Sequence, residues 1–203
     1  MLKTYRSLLT ALCAVVLIVS AVTPAADAQP YIVKAGQSRA RIVTPDQPQP
    51  MTAIAAEELQ AFIERMSGAE LPMGTQPGEN GVNIFVGQST HTDRLGLKGA
   101  ELEHDAYRIA SGDSWLALLG RDEQYEPIEP WAHGRGDYER VQRRLRELSS
   151  LPMRAGSAFK SYNRELDVWE QDGRGTINAV YGFLRSLGCR WYFPGEIGKV
   201  VPT

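Results

Sequence analysis

Acidic side chains are the first candidates for chemistry in this 203-residue sequence, because paired carboxylates can act as a general acid with a general base or nucleophile. Hydrolysis of a glycosidic bond requires two such groups facing one cleft, about 5 to 10 Å apart. Glu57 and Glu58 are neighbours in a predicted helix, where adjacent side chains point about 100° apart. The other acids are scattered along the chain. The sequence thus singles out no catalytic residue, and we expect the chain not to be an enzyme on its own.

Metal-binding and nucleophile motifs are not found either. His91, His104 and His133 lack metal-ligand spacing, so we expect surface histidines, no metal and no cofactor. The Asp-Gly-Arg-Gly-Thr sequence of residues 172–176 could present backbone N–H groups to an anion at a helix start. It lacks the third glycine and the lysine of phosphate-binding loops. A tight turn with Thr176 capping the helix is therefore the favoured interpretation.

Aromatic side chains suggest a different chemistry, because the flat faces of sugars stack on aromatic rings. Tyr125, Trp131, Tyr162 and Trp169 lie within a segment, residues 121–171, that is broken by prolines and rich in polar residues. They could form a glycan-binding surface. The alternative, which we favour, is that these rings hold the segment against the main body of the domain by burying apolar area.

A cluster of arginines between Arg140 and Arg146 could contact nucleic acid or an anionic lipid. Glu139 and Glu147 interleave with it, and a solvated helix face explains the pattern better. The net charge of −2 also gives no electrostatic footprint for nucleic acid. No nucleic-acid partner is predicted.

The N-terminal residues 1–28 have the three parts of a secretory signal peptide. Lys3 and Arg6 form the positive region, residues 8–22 are apolar, and residues 26–28 read Ala-Asp-Ala, a cleavage site. The apolar stretch is shorter than the roughly 20 residues that span a membrane. We therefore expect a secreted or periplasmic protein with no membrane association after signal cleavage.

The mature segment, residues 29–203, is long enough for one domain but too short for a (β/α)8 barrel, which needs about 250 residues. Cleavage removes Cys13 and leaves Cys189 as the single cysteine, so no intramolecular disulfide can form. A reactive thiol is possible at Cys189, but a small buried side chain at the start of a strand is the favoured interpretation.

Hydrophobic periodicity predicts both helices and strands in the mature segment. The strongest helices are residues 52–66, with Thr52 as a possible N-cap, and residues 176–187, and each is followed by a glycine. Strands are predicted at residues 31–33, 41–43, 71–73, 82–86, 105–110, 115–119, 191–193 and 200–201. Residues 121–171, with a basic helix at 138–149, form one long insertion after the strand that begins at Trp115.

The order of these segments resembles the N-terminal non-catalytic domain of several glycoside hydrolases, the β-hexosaminidase domain-2-like domain. It is similar to domains in α-glucuronidases, family 20 β-hexosaminidases, α-N-acetylglucosaminidases and large exported bacterial proteins of uncharacterised function. The resemblance covers residues 31–202, and its most specific part is the closing block. The motifs that carry it are AAEELQ (55–60), GAELP (68–72), IFVG (84–87), DAYRI (105–109), LLG (118–120), RGT (174–176), AVY (179–181) and LGCRWY (187–192).

The resemblance implies an α+β fold, a mixed β-sheet with helices packed on it in a two-layer sandwich. It also implies an accessory domain that packs against a catalytic barrel, its partner, and helps to hold polysaccharide. It places Arg190, Trp191, Tyr192 and Glu196 on the surface that faces the barrel. Because the sequence stops where the barrel would begin, we expect a truncated product or a split gene. The alternative is a free-standing carbohydrate-binding module that uses the aromatic residues of the insertion.

Overall fold

Five of the eleven strands in the described part of the chain form one central mixed sheet. The structure is a computed structural model that describes residues 30–124, 135–148, 162–163, 165–169 and 172–203; the predicted signal peptide, residues 1–28, lies outside the described residues. In chain order, the strands are β1 Val33–Lys34, β2 Gln37–Ser38, β3 Ala40–Val43, β4 Met73–Gly74, β5 Val82–Val86, β6 Tyr107–Gly112, β7 Trp115–Gly120, β8 Tyr162–Asn163, β9 Val168–Trp169, β10 Arg190–Trp191 and β11 Lys199–Val200.

The central sheet has the strand order β4–β3–β5–β7–β6. β4, β3, β5 and β7 run parallel, and β6 pairs antiparallel with β7 through a hairpin. Helices α1 (Pro50–Ser67) and α4 (Gly175–Ser186) pack on one face and bury a single large core with it. The predicted α+β sandwich with a mixed sheet is confirmed. No helix among the described segments has the length and apolar character to cross a membrane.

Helix α1 begins two residues before its predicted start. Pro50 occupies the first turn, where its missing N–H costs nothing, and Gln49 is the N-cap residue without a side-chain cap. The prediction that Thr52 caps this helix is therefore wrong: its hydroxyl instead donates to Asp122 Oδ2 at 3.0 Å. The helix ends as predicted at Gly68, whose φ of 70° is the left-handed conformation that glycine adopts freely.

Helix α4 also has a cap that the sequence did not predict. Arg174 is at the N-cap position and makes no side-chain cap, so Thr176 lies inside the first turn. The Asp122 carboxylate accepts the hydrogen bond from Thr176 N at 2.8 Å and takes the place of the expected cap. Gly188 follows the helix in a left-handed conformation, as predicted.

The second face of the sheet is covered by a segment that the sequence analysis did not assign. Helix α2 (Thr90–Arg94) has a capping box in which the Ser89 and Thr92 side chains bond each other's backbone. Leu97 follows it and packs in a smaller cluster that includes Val43 and Leu119. A helix of five residues is too short to show helical periodicity in a sequence.

Strand boundaries differ from prediction where the backbone turns. Gln37 and Ser38, which lie between the predicted strands 31–33 and 41–43, form β2, because the turn lies at Ala35 and Gly36, both of positive φ. β6 begins at Tyr107 rather than at residue 105. Asp105 has a φ of 59°, which no strand residue adopts.

The two ends of the predicted insertion lie at one place in the domain. The backbone N–H of Gly173 donates to Glu123 O at 2.8 Å, so the two ends of the connection lie side by side. Within it, helix α3 (Arg135–Leu148) begins three residues before the predicted basic helix, and β8 pairs antiparallel with β9. Residues 125–134, 149–161, 164 and 170–171 of the insertion lie outside the described residues.

Candidate functional site

The carboxyl ends of the parallel strands form the most promising site geometry in the described part of the chain. After β3 the chain crosses over α1 on one face to reach β4. After β5 it runs over the opposite face, through α2 and Leu97, towards β6 and β7. The connections of two neighbouring strands thus diverge to opposite sides. Such a divergence opens a crevice at the strand ends, where open α/β sheets bind ligands.

Asp122 connects three elements at this edge. It follows β7 by two residues, accepts the N–H of Thr176 at the start of α4 on Oδ1, and accepts the hydroxyl of Thr52 in α1 on Oδ2. Burial raises the pKa of this carboxyl above its ordinary value, against the opposing effect of the hydrogen bonds from Thr176 and Thr52. The side chain therefore fixes both helix starts relative to the sheet.

The backbones of β7 and α4 touch directly beside Asp122. Gly120 N donates to Thr176 Oγ1 at 3.1 Å. A Cβ on Gly120 would overlap the Gly175 backbone, and a Cβ on Gly175 would lie 2.7 Å from Ala106 O. Only residues without a side chain permit this approach, which explains the glycines at both positions.

A cleft of about 300 Å³ opens at this edge, at the lower end of the size range of small-molecule sites. We call it the Asp122 cleft. It is lined by the segments that follow β3, β5 and β7, namely Pro45, Gln47, Gln49, Thr52, Gln88, Ala100 and residues 120–123. Seven of these ten lining residues have hydrogen-bonding side chains.

A neighbouring cleft of about 380 Å³, here called the His91 cleft, shares Pro45 with it. His91 lies in its wall, stacked on Phe85 with ring centroids 5.6 Å apart and with Nε2 3.3 Å from Thr75 O. His91 is half-buried, because α2 lays it against the sheet. His104 is exposed, and His133 lies outside the described residues.

The titration of Asp122 should be visible in the pH dependence of stability. Because the pKa of Asp122 is raised in the folded state, the folded chain binds a proton more readily than the unfolded chain. The contribution of Asp122 to the free energy of unfolding is therefore full below its unfolded-state pKa and is lost as pH rises through its folded-state pKa. The free energy of unfolding of Asp122→Asn, measured in urea at pH 3.5 and pH 7, should therefore improve relative to wild type at the higher pH. Asp113→Asn, in the exposed β6–β7 turn, is the control. A difference from wild type that stays constant or moves the other way would contradict the prediction.

The predicted glycan-binding aromatics lie mostly outside the described part of the chain. Tyr125 and Trp131 fall outside it, whereas the register of β8 and β9 places Tyr162 opposite Trp169. Trp169 is half-buried, and its backbone N–H donates to Asp172 Oδ2 at 2.8 Å. The structure thus brings two of the four positions together, and the glycan-binding surface stays a prediction.

The residues predicted to face a barrel divide into inward and outward side chains. Trp191 points into the domain, with ring centroids 5.3 Å from Phe62 and 5.1 Å from Tyr181. Arg190 is exposed and donates to Arg185 O at 2.8 Å. Tyr192 is 67% exposed. Only part of this set is therefore available to a partner.

Tyr192 belongs to an exposed apolar cluster that sequence reasoning did not recognise as a whole. Its other members are Phe193, 69% exposed, Ile197, 95% exposed, and Val200, 49% exposed. We call these four residues the C-terminal patch. Exposed apolar side chains are common singly, but their grouping on one short segment is typical of interaction surfaces.

A rigid turn presents this patch. β10 pairs antiparallel with β11, and Tyr192 N donates to Gly198 O at 2.8 Å. The Glu196 carboxylate accepts from Arg65 Nη1 and Lys199 Nζ, each at 2.7 Å, and these bonds lower the pKa of Glu196. Glu196 therefore ties the turn to α1.

Cys189 is buried, as predicted, with Sγ 3.7 Å from Met66 Sδ. Burial raises the pKa of its thiol, so the thiolate that would make it a nucleophile is disfavoured. Burial, together with the Glu58 carboxylate that accepts a hydrogen bond from the Tyr181 hydroxyl at 3.1 Å, raises the pKa of Tyr181 to about 12. Within the described segments, no three His, Cys, Asp or Glu side chains are grouped so that they could hold a metal ion.

A scan of the sequence against protein-family models found no match, and a search of the curated proteins found none either. The resemblance to a glycoside hydrolase accessory domain therefore stays a prediction that rests on the quoted motifs.

Proposed function

We propose that this chain is a non-catalytic accessory domain of an exported carbohydrate-degrading glycoside hydrolase and that it docks to the catalytic barrel through the C-terminal patch. The observation that carries the proposal is that Tyr192, Phe193, Ile197 and Val200 are all exposed on strand β11 and the turn between β10 and β11. The class of partner, a catalytic barrel, is inferred from the motif of the closing block, residues 187–192, because the resemblance places this segment beside a barrel.

The size of the patch supports docking. Large aromatic side chains bury on the order of 150 to 250 Å² each, so the two aromatics with Ile197 and Val200 offer several hundred Å² of apolar area, about the size of a functional patch. Burying that area would stabilise a complex at roughly 25 cal/mol per Å², before the costs of association are subtracted.

The surroundings of the patch also resemble an interface. Arg65, Glu196 and Lys199 form a charged rim next to the apolar centre, and protein interfaces commonly have this arrangement. Next to the patch, the Trp191 ring packs on the rings of Phe62 and Tyr181, and this contact anchors the turn to the domain. A partner would therefore meet a preorganised surface and would lose little entropy in ordering it.

Co-purification tests the proposal. The tagged chain is co-expressed with the glycoside hydrolase barrel encoded downstream of its gene, and a complex is expected. Ile197→Glu combined with Phe193→Ser should weaken the complex by roughly tenfold or more, because a central apolar anchor is replaced by a charge.

The matched control is Leu166→Glu, since Leu166 is an exposed leucine outside the patch, in the turn between β8 and β9. It should leave the complex intact. The proposal fails if the downstream sequence encodes no such barrel, if the barrel does not co-purify with the wild-type chain, or if the patch variant binds it as tightly as the control does.

A further inference from the structure

We infer that the Asp122 cleft is a binding site for a neutral polyhydroxylated ligand, a mono- or disaccharide, held by Gln47, Gln49 and Asp122. This site lies at the carboxyl ends of β3, β5 and β7, whereas the docking surface lies on β10, β11 and the turn between them. The inference goes beyond the docking role and does not depend on it. It also uses none of the aromatic residues of the insertion.

The position of the cleft favours a ligand. Because the connections after β3 and β5 leave over opposite faces, no element of the described part of the chain fills the space between them. Side chains from three separate connections converge there: Gln47 and Gln49 after β3, Gln88 after β5, and Asp122 after β7. Convergent polar groups in a preformed cleft are typical of small-molecule sites.

The chemistry of the lining matches hydroxyl groups. A sugar hydroxyl both donates and accepts, and a glutamine amide offers both partners. The Asp122 carboxylate can accept about four hydrogen bonds and receives one each from Thr176 N and Thr52 Oγ1. It therefore retains acceptor capacity for a ligand hydroxyl.

Other ligand classes fit the lining less well. Arg121 is the one cationic side chain among the described lining residues, and its guanidinium is paired with Glu123 at 2.6 Å, so an anion would meet no unpaired positive charge. The aliphatic side chains that line the cleft are Pro45 and Ala100. An apolar ligand would have to desolvate amides and carboxylates without replacing their hydrogen bonds.

Two of the polar groups, Asp122 and Gln88, are held in place before a ligand arrives. Asp122 is fixed between α1 and α4 by its two hydrogen bonds. The Gln88 side chain is hydrogen-bonded to Asp93, Leu97 O and Gly99 N. It is therefore fixed in the wall of the cleft, and its amide is already used within the protein. Gln47 and Gln49 are exposed on the rim, where their amides can close on a sugar ring.

Isothermal titration calorimetry with defined saccharides tests the inference. Glucose, cellobiose and N,N′-diacetylchitobiose are titrated into the wild-type chain, with glucuronate and inorganic phosphate as anionic comparisons, and at least one neutral saccharide should bind. Gln47→Ala combined with Gln49→Ala should weaken it about tenfold, as expected for the loss of two hydrogen bonds. Both residues are exposed, so this variant should fold normally.

Gln76→Ala is the matched control, because Gln76 is an exposed glutamine on the rim of the His91 cleft. It should bind the saccharide like wild type, as should the Ile197→Glu variant of the docking surface. The inference is overturned if no neutral saccharide binds, if only the anions bind, or if the double glutamine variant binds as tightly as Gln76→Ala. Because Ile197→Glu acts on docking alone, failure of one proposal is distinguishable from failure of the other.

Discussion

Gly120→Ala is expected to destabilise the domain by about 3 kcal/mol or more, the upper range for overpacking. The new Cβ would overlap the backbone of Gly175, and backbone atoms cannot rotate away as a side chain can. Relief would require β7 and α4 to separate, which would also break the bond from Gly120 N to Thr176 Oγ1. In thermal unfolding, a loss of this size lowers the midpoint by about 10 °C for a domain of this length.

The same substitution at Gly136 provides the control. Gly136 is exposed in α3, and a Cβ there meets no atom within 4 Å. Alanine favours a helix over glycine by up to about 1 kcal/mol, so Gly136→Ala should leave the midpoint unchanged or raise it slightly. An unchanged midpoint for Gly120→Ala would show that β7 and α4 do not touch at this point.

Leu59→Ala is expected to cost about 2 to 5 kcal/mol in the free energy of unfolding. Leu59 is fully buried in α1, in the core cluster that also contains Ile84 of β5 and Leu184 of α4. Its loss leaves a cavity where both helices meet the sheet, and the close packing around it limits collapse. Urea unfolding followed by circular dichroism measures the change.

Leu166→Ala is the control for this experiment. Leu166 is 49% exposed in the turn between β8 and β9, so its truncation should change stability by no more than about 0.5 kcal/mol. If Leu59→Ala cost as little as Leu166→Ala, the two helices and the sheet would not share one core.

The candidate site depends on residues that the sequence analysis did not select. Asp122 falls in the predicted insertion, and Gln47 and Gln49 fall in a proline-rich stretch that reads as a loop. One signal was available: Asp122 follows the end of a strand by two residues, and the ends of parallel strands share an edge of a sheet. To locate the site from this signal, the order of the strands in the sheet must be known, and short apolar runs do not specify that order.

The C-terminal patch was partly predictable. The resemblance placed Tyr192 and Glu196 at a partner surface, and these side chains are exposed. It placed Trp191 there too, although alternation along β10 turns that side chain towards Phe62 and leaves its neighbour outside. Ile197 was not selected, because a single isoleucine in a polar turn has no periodicity to mark it.

Local features were determined by the sequence alone, because their causes lie within a few residues. Apolar periodicity predicted α1, α4 and β5, and Gly68 and Gly188 ended their helices through a conformation that favours glycine. The tertiary structure decided which strands are neighbours and which face each helix covers. It therefore also decided that Asp122, 70 residues from Thr52 and 54 from Thr176, caps one helix and holds the other. Such contacts depend on chain crossings and on burial, which no local pattern encodes.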